Sequence, residues 1–446
     1  MCYNRSMSWR RRSWWDGIAI LCFAVIMVFV AVICVYYESE RKNSVGVPRM
    51  EMFLNGVSLD VIHENGKDLK YEHNSLSLDG EYYNNVEIKG RGNYTWNDDK
   101  KSYRLKFNGK VDLLGLGAVR KWALISNNMD DAYLRNDLGF YIAKMVDSEY
   151  PFSGDFLDFT VDGEDLGLYY VTHVVEISKR VLDLRDEDGM IIELDNGYCK
   201  QEPLNIDLAS GDCVTVKDMV TDDNMDKNLS VFIEQINRAQ EVVADGDYKK
   251  MTEILDIESF ARYFVVNEFV ANPDAYVTSF FMYKNGVDDK IHAGPAWDFD
   301  SAFGNRRWGD GAMNEGFYAP ETVMARRWNA FGKSHYDEVT GEWIVETEDL
   351  AVSKMMYNMV EIPEFWEEVK RVYRETLLGR RDEVLAYIQK RSGRIRNAAM
   401  LDGEKWGKMD FDDAIRYLNW WVDQRFLTLD RVLGEKIQLP MKESVM

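Results

Sequence analysis

The sequence predicts an α+β protein of two lobes, with a β-rich first half holding one helix and a mostly helical second half, preceded by a single transmembrane helix. Three observations predict it. Residues 17–37 form an unbroken uncharged apolar run. Residues from about 50 to 175 alternate apolar and polar side chains between Asn-Gly and Asp-Gly turn signals, the period of strands. From about residue 228 the apolar residues recur at helical spacing. At 446 residues, 46% hydrophobic and 13% aromatic, the chain can fill a large interior rather than one small core.

Residues 1–16 include Arg10, Arg11 and Arg12, and Glu38 and Glu40 follow the apolar run. A helix over 17–37 rises about 1.5 Å per residue, enough for a hydrocarbon core of about 30 Å. The basic flank places residues 1–16 in the cytoplasm and the main domain outside the cell membrane. A cleaved signal peptide is the rival reading, but the run is long for one. A tether spans 38–48. A β-rich lobe spans 49–180, with strands over Met50–Val57, Asn85–Lys89, Ser102–Phe107, Phe156–Val161 and Gly167–Val174, and one helix over Asp130–Lys144 opened by an acidic cap. A linker or insert occupies 181–228. The helical lobe, 229–434, holds helices over Ser230–Ala244, Ile257–Ala271, Val352–Tyr357, Pro363–Arg391 and Asp410–Leu433, and a short strand pair, Ser279–Tyr283 and Lys290–Ala293. Residues 304–345 read as a long loop and 435–446 as a tail. A cleft between lobes is the expected site.

The net charge of −22 excludes a nucleic-acid binder, which needs a basic face. The five histidines are scattered and no CxxC pair occurs, which argues against a zinc enzyme. Cys199 and Cys213 either pair in an oxidising exterior or stand as two thiols; the spacing allows both.

The chemistry concentrates in a few segments. His292-Ala-Gly-Pro-Ala-Trp-Asp-Phe-Asp-Ser-Ala-Phe-Gly304 sets Asp298 and Asp300 among aromatic residues, where a carboxylate is costly to desolvate unless something compensates it. Asp274 follows the helix ending in Asn272-Pro273, and Ser279 stands five residues later. In the β-rich half, Gly90-Arg91-Gly92 forms a Gly-x-Gly turn that would let backbone N–H groups approach a phosphate. In Lys100-Lys-Ser-Tyr-Arg-Leu-Lys-Phe107, Ser102, Arg104 and Lys106 share one strand face, either a phosphate clamp or a solvated edge. An acid after a helix, a hairpin and a second acid is also the order that protein kinases use for phosphoryl transfer.

The combination KGRGNYTW, KKSYRLKF, WALISNNMDDAYLRN, GLYYV, NEFVANPDAY, GPAWDFDSAFG and RYLNWWVDQR resembles the CotH (spore coat protein H) kinase family over about residues 85–430. The resemblance implies an atypical protein-kinase-like, bilobal fold that uses ATP and Mg²⁺ or Mn²⁺ to phosphorylate Ser or Thr of a coat or cell-envelope protein. It implies Asp274 as catalytic Asp and Asp298 as metal-binding Asp, with Asp300 in the same motif. It also implies Lys106, Arg104, Arg91, Gly90 and Gly92 on the nucleotide phosphates, and Arg135 and Asn136 as the Arg-Asn pair on the helix of the β-rich lobe. Two positions depart from the pattern. Ser279 stands where kinases place an Asn metal ligand, and His173 where the family places Glu. An inactive kinase-like scaffold therefore stays open. So does a glycoside hydrolase with paired carboxylates about 5–9 Å apart and sugar-stacking tryptophans such as Trp297, Trp308 and Trp420.

Overall fold

The computed structural model describes residues 18–30, 46–221, 223, 225–272, 274–305, 333–337, 342–346 and 353–434. The expectations for residues 1–16, for most of the 38–48 tether, for most of the 304–345 loop and for the 435–446 tail lie outside the described residues. Met1–Val47 and Pro48–Met446 are separate units.

In the second unit, strands β1 (Arg49–Phe53), β2 (Lys70–Leu78), β3 (Glu81–Arg91), β4 (Ser102–Val111), β5 (Val119–Ile125), β6 (Gly154–Val161) and β7 (Glu164–His173) form a closed barrel in the order β1-β2-β3-β4-β5-β7-β6. Alternation sends Met50, Met52, Ile88, Leu105, Trp122 and Leu124 into the interior. Asp162 and Gly163 both take positive φ, 48° and 84°, as a two-residue hairpin turn requires. Asn108-Gly109, by contrast, makes no turn; it lies inside β4, where the register with β5 shifts between Lys106 and Val111.

Strands β8 (Met190–Leu194), β9 (Asn205–Asp207), β10 (Cys213–Met219), β11 (Phe280–Lys284) and β12 (His292–Ala293) make a second sheet ordered β12-β11-β8-β10-β9. A disulfide joins Cys199 to Cys213 at the start of β10. Strands β13 (Lys333–Asp337) and β14 (Glu342–Glu346) pair with each other.

The helices are α1 (Leu59–Glu64), α2 (Arg135–Met145), α3 (Met225–Ala244), α4 (Tyr248–Ile254), α5 (Ile257–Val270), α6 (Lys354–Val360), α7 (Pro363–Thr376), α8 (Arg381–Trp406) and α9 (Phe411–Leu429). Asp256 caps α5 through the Ser259 N–H at 2.8 Å, and Asp410 caps α9 through the Asp413 N–H at 3.0 Å. The single helix expected over Pro363–Arg391 is two, α7 and α8, because the chain turns at Gly379 with φ 74°.

The fold expectation needs two corrections. The β-rich half is not the open sheet of a bilobal kinase-like protein. β1 finds antiparallel β2 on one edge and parallel β6 on the other, so the sheet closes on itself. Residues from the 181–228 stretch then build the second sheet with β11 and β12, and Pro48–Met446 forms one unit rather than two. The transmembrane helix is the other correction. Within 17–37 the described residues, 18–30, are helical. Among the described residues no helix is long and apolar enough to cross a membrane.

The barrel is fastened to α8 by a buried ion pair. Lys100 Nζ donates to Asp402 Oδ1 at 2.7 Å and to the Leu168 carbonyl at 2.6 Å. Asp402 also accepts from Tyr133 Oη and from the Leu168 N–H, both at 2.8 Å. Burial lowers the Lys100 pKa, opposed by Asp402. Removing one partner of a buried pair leaves an uncompensated charge. Asp402→Ala is therefore expected to destabilise the protein by roughly 3–5 kcal/mol in urea denaturation; a loss under about 1 kcal/mol, the range of exposed pairs, would show that the pair does not fasten the barrel.

Candidate active site

The site forms where the outer face of β3 and β4, the second sheet and the loop after α5 meet. Ala271 ends α5 in the left-handed conformation, φ 49°. Asn272, buried, then works in two directions. Its Nδ2 donates to the Asp298 carbonyl at 3.0 Å, and its Oδ1 accepts from the Asp274 N–H at 3.2 Å. One amide thus ties the Asp274 loop to the Asp298 segment. The Val277 and Thr278 N–H groups donate to the Asp274 carbonyl at 3.1 and 3.0 Å and close the turn leading to β11.

The Asp298 segment is clamped from both sides. On α2, Asn136 Oδ1 accepts from the Phe299 N–H at 2.9 Å, and Arg135 Nε donates to the Ala302 carbonyl at 2.9 Å while its guanidinium pairs with Asp130. On α5, the Val270 carbonyl accepts from the Phe303 N–H at 2.7 Å. Asn305 Nδ2 donates to the Met129 carbonyl at 2.8 Å. Ser279 and Asp298 are both left-handed, at φ 55° and 67°. Such backbone costs energy in residues other than glycine and persists only where the surroundings enforce it, as these clamps do.

Asp274, Asp298, Asp300 and Ser279 line one cavity of about 390 Å³ with Gly90, Arg91, Gly92, Arg104 and Lys89, a volume suited to a small-molecule ligand. The β3–β4 register explains the basic side. Lys89 stands opposite Arg104 and Arg91 opposite Ser102, all on the outer face. Arg91 lies over the Trp297 ring, 5.6 Å from its centroid. Gly90 pairs with Tyr103 inside β3, where a side chain would collide with Trp96, and Gly92 takes φ 92° just past the strand.

The structure does not bring Lys106 to this cavity. Two residues beyond Arg104, a step of about 7 Å, it lines a separate depression with Lys121. His173 also lies elsewhere: it packs against Trp122 of the barrel, 4.8 Å between ring centroids. Trp308 lies outside the described residues.

Electrostatically the cavity has an acidic side and a basic side. Burial, reinforced by Asp298, pushes Asp274 up to about 7, with a hydrogen bond to Ser301 opposing. Burial also raises Asp298, against the pull of Arg91 and hydrogen bonds with Asp300 and Ser279. Asp300 is held well above the usual carboxylate range by burial and then by Asp298 and Asp274. Three acids that resist ionising together invite either a shared proton or a cation.

No group of three or more His, Cys, Asp or Glu side chains among the described residues forms a ready-made cation cage. The donor set nonetheless suits magnesium or manganese. All donors are hard oxygens, and Asp298 and Asp300 already share a hydrogen bond whose proton a cation would replace. Mg²⁺ commonly uses one or two carboxylates with substrate phosphates and water rather than an all-protein cage. Asp298 and Asp300, with the Ser279 hydroxyl beside them, are the residues that would hold it.

Sequence reasoning missed four contributors. Asn127, φ 50° and 2% exposed, lines the cavity with both side-chain polar atoms buried and, among the described residues, without a hydrogen-bond partner; no sequence signal marks an amide as unpaired. Glu193, buried on β8, pairs with the partly exposed Lys217 of β10 at the cavity wall, and burial pushes Glu193 up to about 7. A glutamate inside the apolar run Met190–Leu194 was a signal available to find it. The brace Asn272 sat unread beside Asp274.

The raised carboxylates carry a pH consequence. Their folded pKa values exceed the unfolded ones, so the folded state binds more protons and loses stability as pH rises from about 4 through about 7. Asp298→Asn is expected to melt above the wild type at pH 8 without divalent cations, with the gap closing near pH 4; thermal melts across this range check it, and equal midpoints at pH 8 would contradict the mutual repulsion.

No curated protein matches the chain. The CotH kinase protein family does match, over residues 88–429, a span that includes β4 to α9 and the three carboxylates Asp274, Asp298 and Asp300, so the chain belongs to that family.

Proposed function

We propose that this protein transfers the γ-phosphoryl group of ATP to a Ser or Thr hydroxyl of another protein. The observation that carries the reading is the cavity that sets Asp274, Asp298 and Asp300 against Arg91, Arg104 and Lys89. Phosphoryl transfer needs little covalent chemistry from a protein; it needs positioning and charge compensation. Arg91 and Arg104 neutralise phosphate oxygens, and Asn127 has a free N–H donor for the same purpose. Asp274, braced by Asn272, orients the acceptor hydroxyl. The hydroxyl oxygen bonds to the γ-phosphorus, the bond from phosphorus to the β–γ bridging oxygen breaks, ADP leaves, and the proton passes to Asp274. A basicity near neutral suits that task. A divalent ion held by Asp298 and Asp300 would supply further positive charge to the triphosphate.

An extracytoplasmic coat or envelope acceptor is supported by the Cys199–Cys213 disulfide, since such bonds persist in oxidising compartments. A glycosidase fits less well, because an anion-binding wall of Arg91, Arg104 and Lys89 has no use beside a neutral sugar. A non-catalytic scaffold that binds nucleotide is the second reading. It is favoured by Ser279, whose hydroxyl is engaged by Asp298 at a position where kinases place a metal-binding Asn.

Radiolabel transfer from ATP to a Ser/Thr peptide pool, run beside nucleotide binding by thermal shift, separates these readings. Transfer is expected only with Mg²⁺ or Mn²⁺, and Asp274→Asn is expected to lower it roughly 10²–10⁴-fold while keeping nucleotide binding. Binding without transfer in the wild type would support the scaffold, and no nucleotide binding would overturn both.

A further inference from the structure

The depression that holds Lys106 has a composition at odds with the rest of the chain. Of 446 residues, 76 are acidic and 54 basic, yet Lys106, Lys110, Arg120, Lys121, Lys179 and Arg180 line this one recess of about 590 Å³ with Glu176 as its single carboxylate. The fold, not the local sequence, assembles it. Lys106 and Lys110 come from β4, Arg120 and Lys121 from β5, and Lys179 and Arg180 from the segment after β7.

The recess is only partly neutralised from within. Glu176 pairs with Lys121 at 2.9 Å. Arg120 and Arg180 reach only the carbonyls of Phe107 and Leu116, at 3.3–3.4 Å. Lys106 stands directly opposite Lys121, a like-charge pairing that costs stability in a sheet. Across the other edge Lys106 faces Glu87, whose carboxylate pairs with Arg104. Among the described residues no carboxylate forms an ion pair with Lys106, Lys110 or Lys179. An anionic partner would relieve this excess.

Position along the strand says which partner. Arg104 lines the candidate active site, and Lys106, two residues and about 7 Å further along β4, lines the recess, so the two cavities are neighbours. A peptide lying with a hydroxyl at Asp274 would reach the recess with residues a short way along its own chain. The net charge of −22 repels an acidic protein on average, so a basic recess beside the site is where its flanking segment can engage. Resting on the kinase reading of the neighbouring cavity, we propose that the recess docks an acidic, Asp- or Glu-rich segment of the protein acceptor, flanking the hydroxyl that is phosphorylated.

Binding measured without nucleotide tests this apart from catalysis. The probe is a fluorescein-labelled peptide with six consecutive glutamates and no Ser or Thr, followed by anisotropy with the full chain, beside the same peptide with glutamines. The glutamate peptide is expected to bind, more weakly as salt rises, and the glutamine peptide not to bind. Lys106→Glu with Lys179→Glu is expected to lower the affinity at least about tenfold, as reversal of two contacting charges should; both side chains reach solvent, so the variant should keep the wild-type melting temperature. Glu176→Gln, which removes the one carboxylate among the described residues lining the recess, is expected to tighten binding. Equal affinity for both peptides, no effect of the double reversal, or full displacement by millimolar inorganic phosphate would each overturn acidic-segment docking. Transfer to a neutral Ser/Thr peptide reports separately on the kinase reading.

Discussion

The crowding of Asp274, Asp298 and Asp300 around one cavity is the constraint on which the rest of this structure depends. Like charges at close range in a poorly hydrated site resist ionising together. Left alone, the loops that carry them would drift apart and hydrate. They do not, because the backbone of each segment is held from both sides. Asn136 and Arg135 of α2 grip the Asp298 segment from one side. Val270 and Asn272, at and just beyond the end of α5, grip it from the other. The carboxyl groups, bonded within the protein only to Ser279, Ser301 and one another among the described residues, stay available to a cation.

The barrel serves the same end. Its closure fixes the twist and register of β3 and β4, and register alone decides which cations face the acids. Arg91, Lys89 and Arg104 point outward together because Lys89 is paired with Arg104 and Arg91 with Ser102. The Lys100–Asp402 pair then ties the barrel to α8, and the Arg391–Asp137 pair, at 2.6 Å, ties α8 to the helix that carries Asn136. The basic wall and the acidic floor are thus parts of one fastened body.

Much of the site was legible in the sequence because its elements are local. Asp298 and Asp300 two residues apart among aromatic side chains, and Asp274 closing a helix, were visible as costly groups in need of compensation. Their meeting in one cavity followed from the family resemblance and agrees with the geometry. What was not legible depends on pairing at long range. Barrel closure rests on a parallel contact between β1 and β6, about a hundred residues apart; no local pattern encodes it. Lys106 was read together with Arg104 from strand alternation, which gives the face of a side chain and not its place along the strand. Asn108-Gly109 carried a strong turn signal, yet it stays within β4 because pairing with β5 continues beyond it at Val111. The apolar run at 17–37 was judged on length and hydropathy alone, and among the described residues no helix is long and apolar enough to cross a membrane.

Anomalous diffraction from crystals grown with Mn²⁺ and a non-hydrolysable ATP analogue tests the central claim most directly. The account predicts one or two manganese peaks within about 2.2 Å of Asp298 or Asp300 oxygens, with the triphosphate between them and Arg91. Manganese away from these carboxylates, or a nucleotide bound outside this cavity, would contradict it.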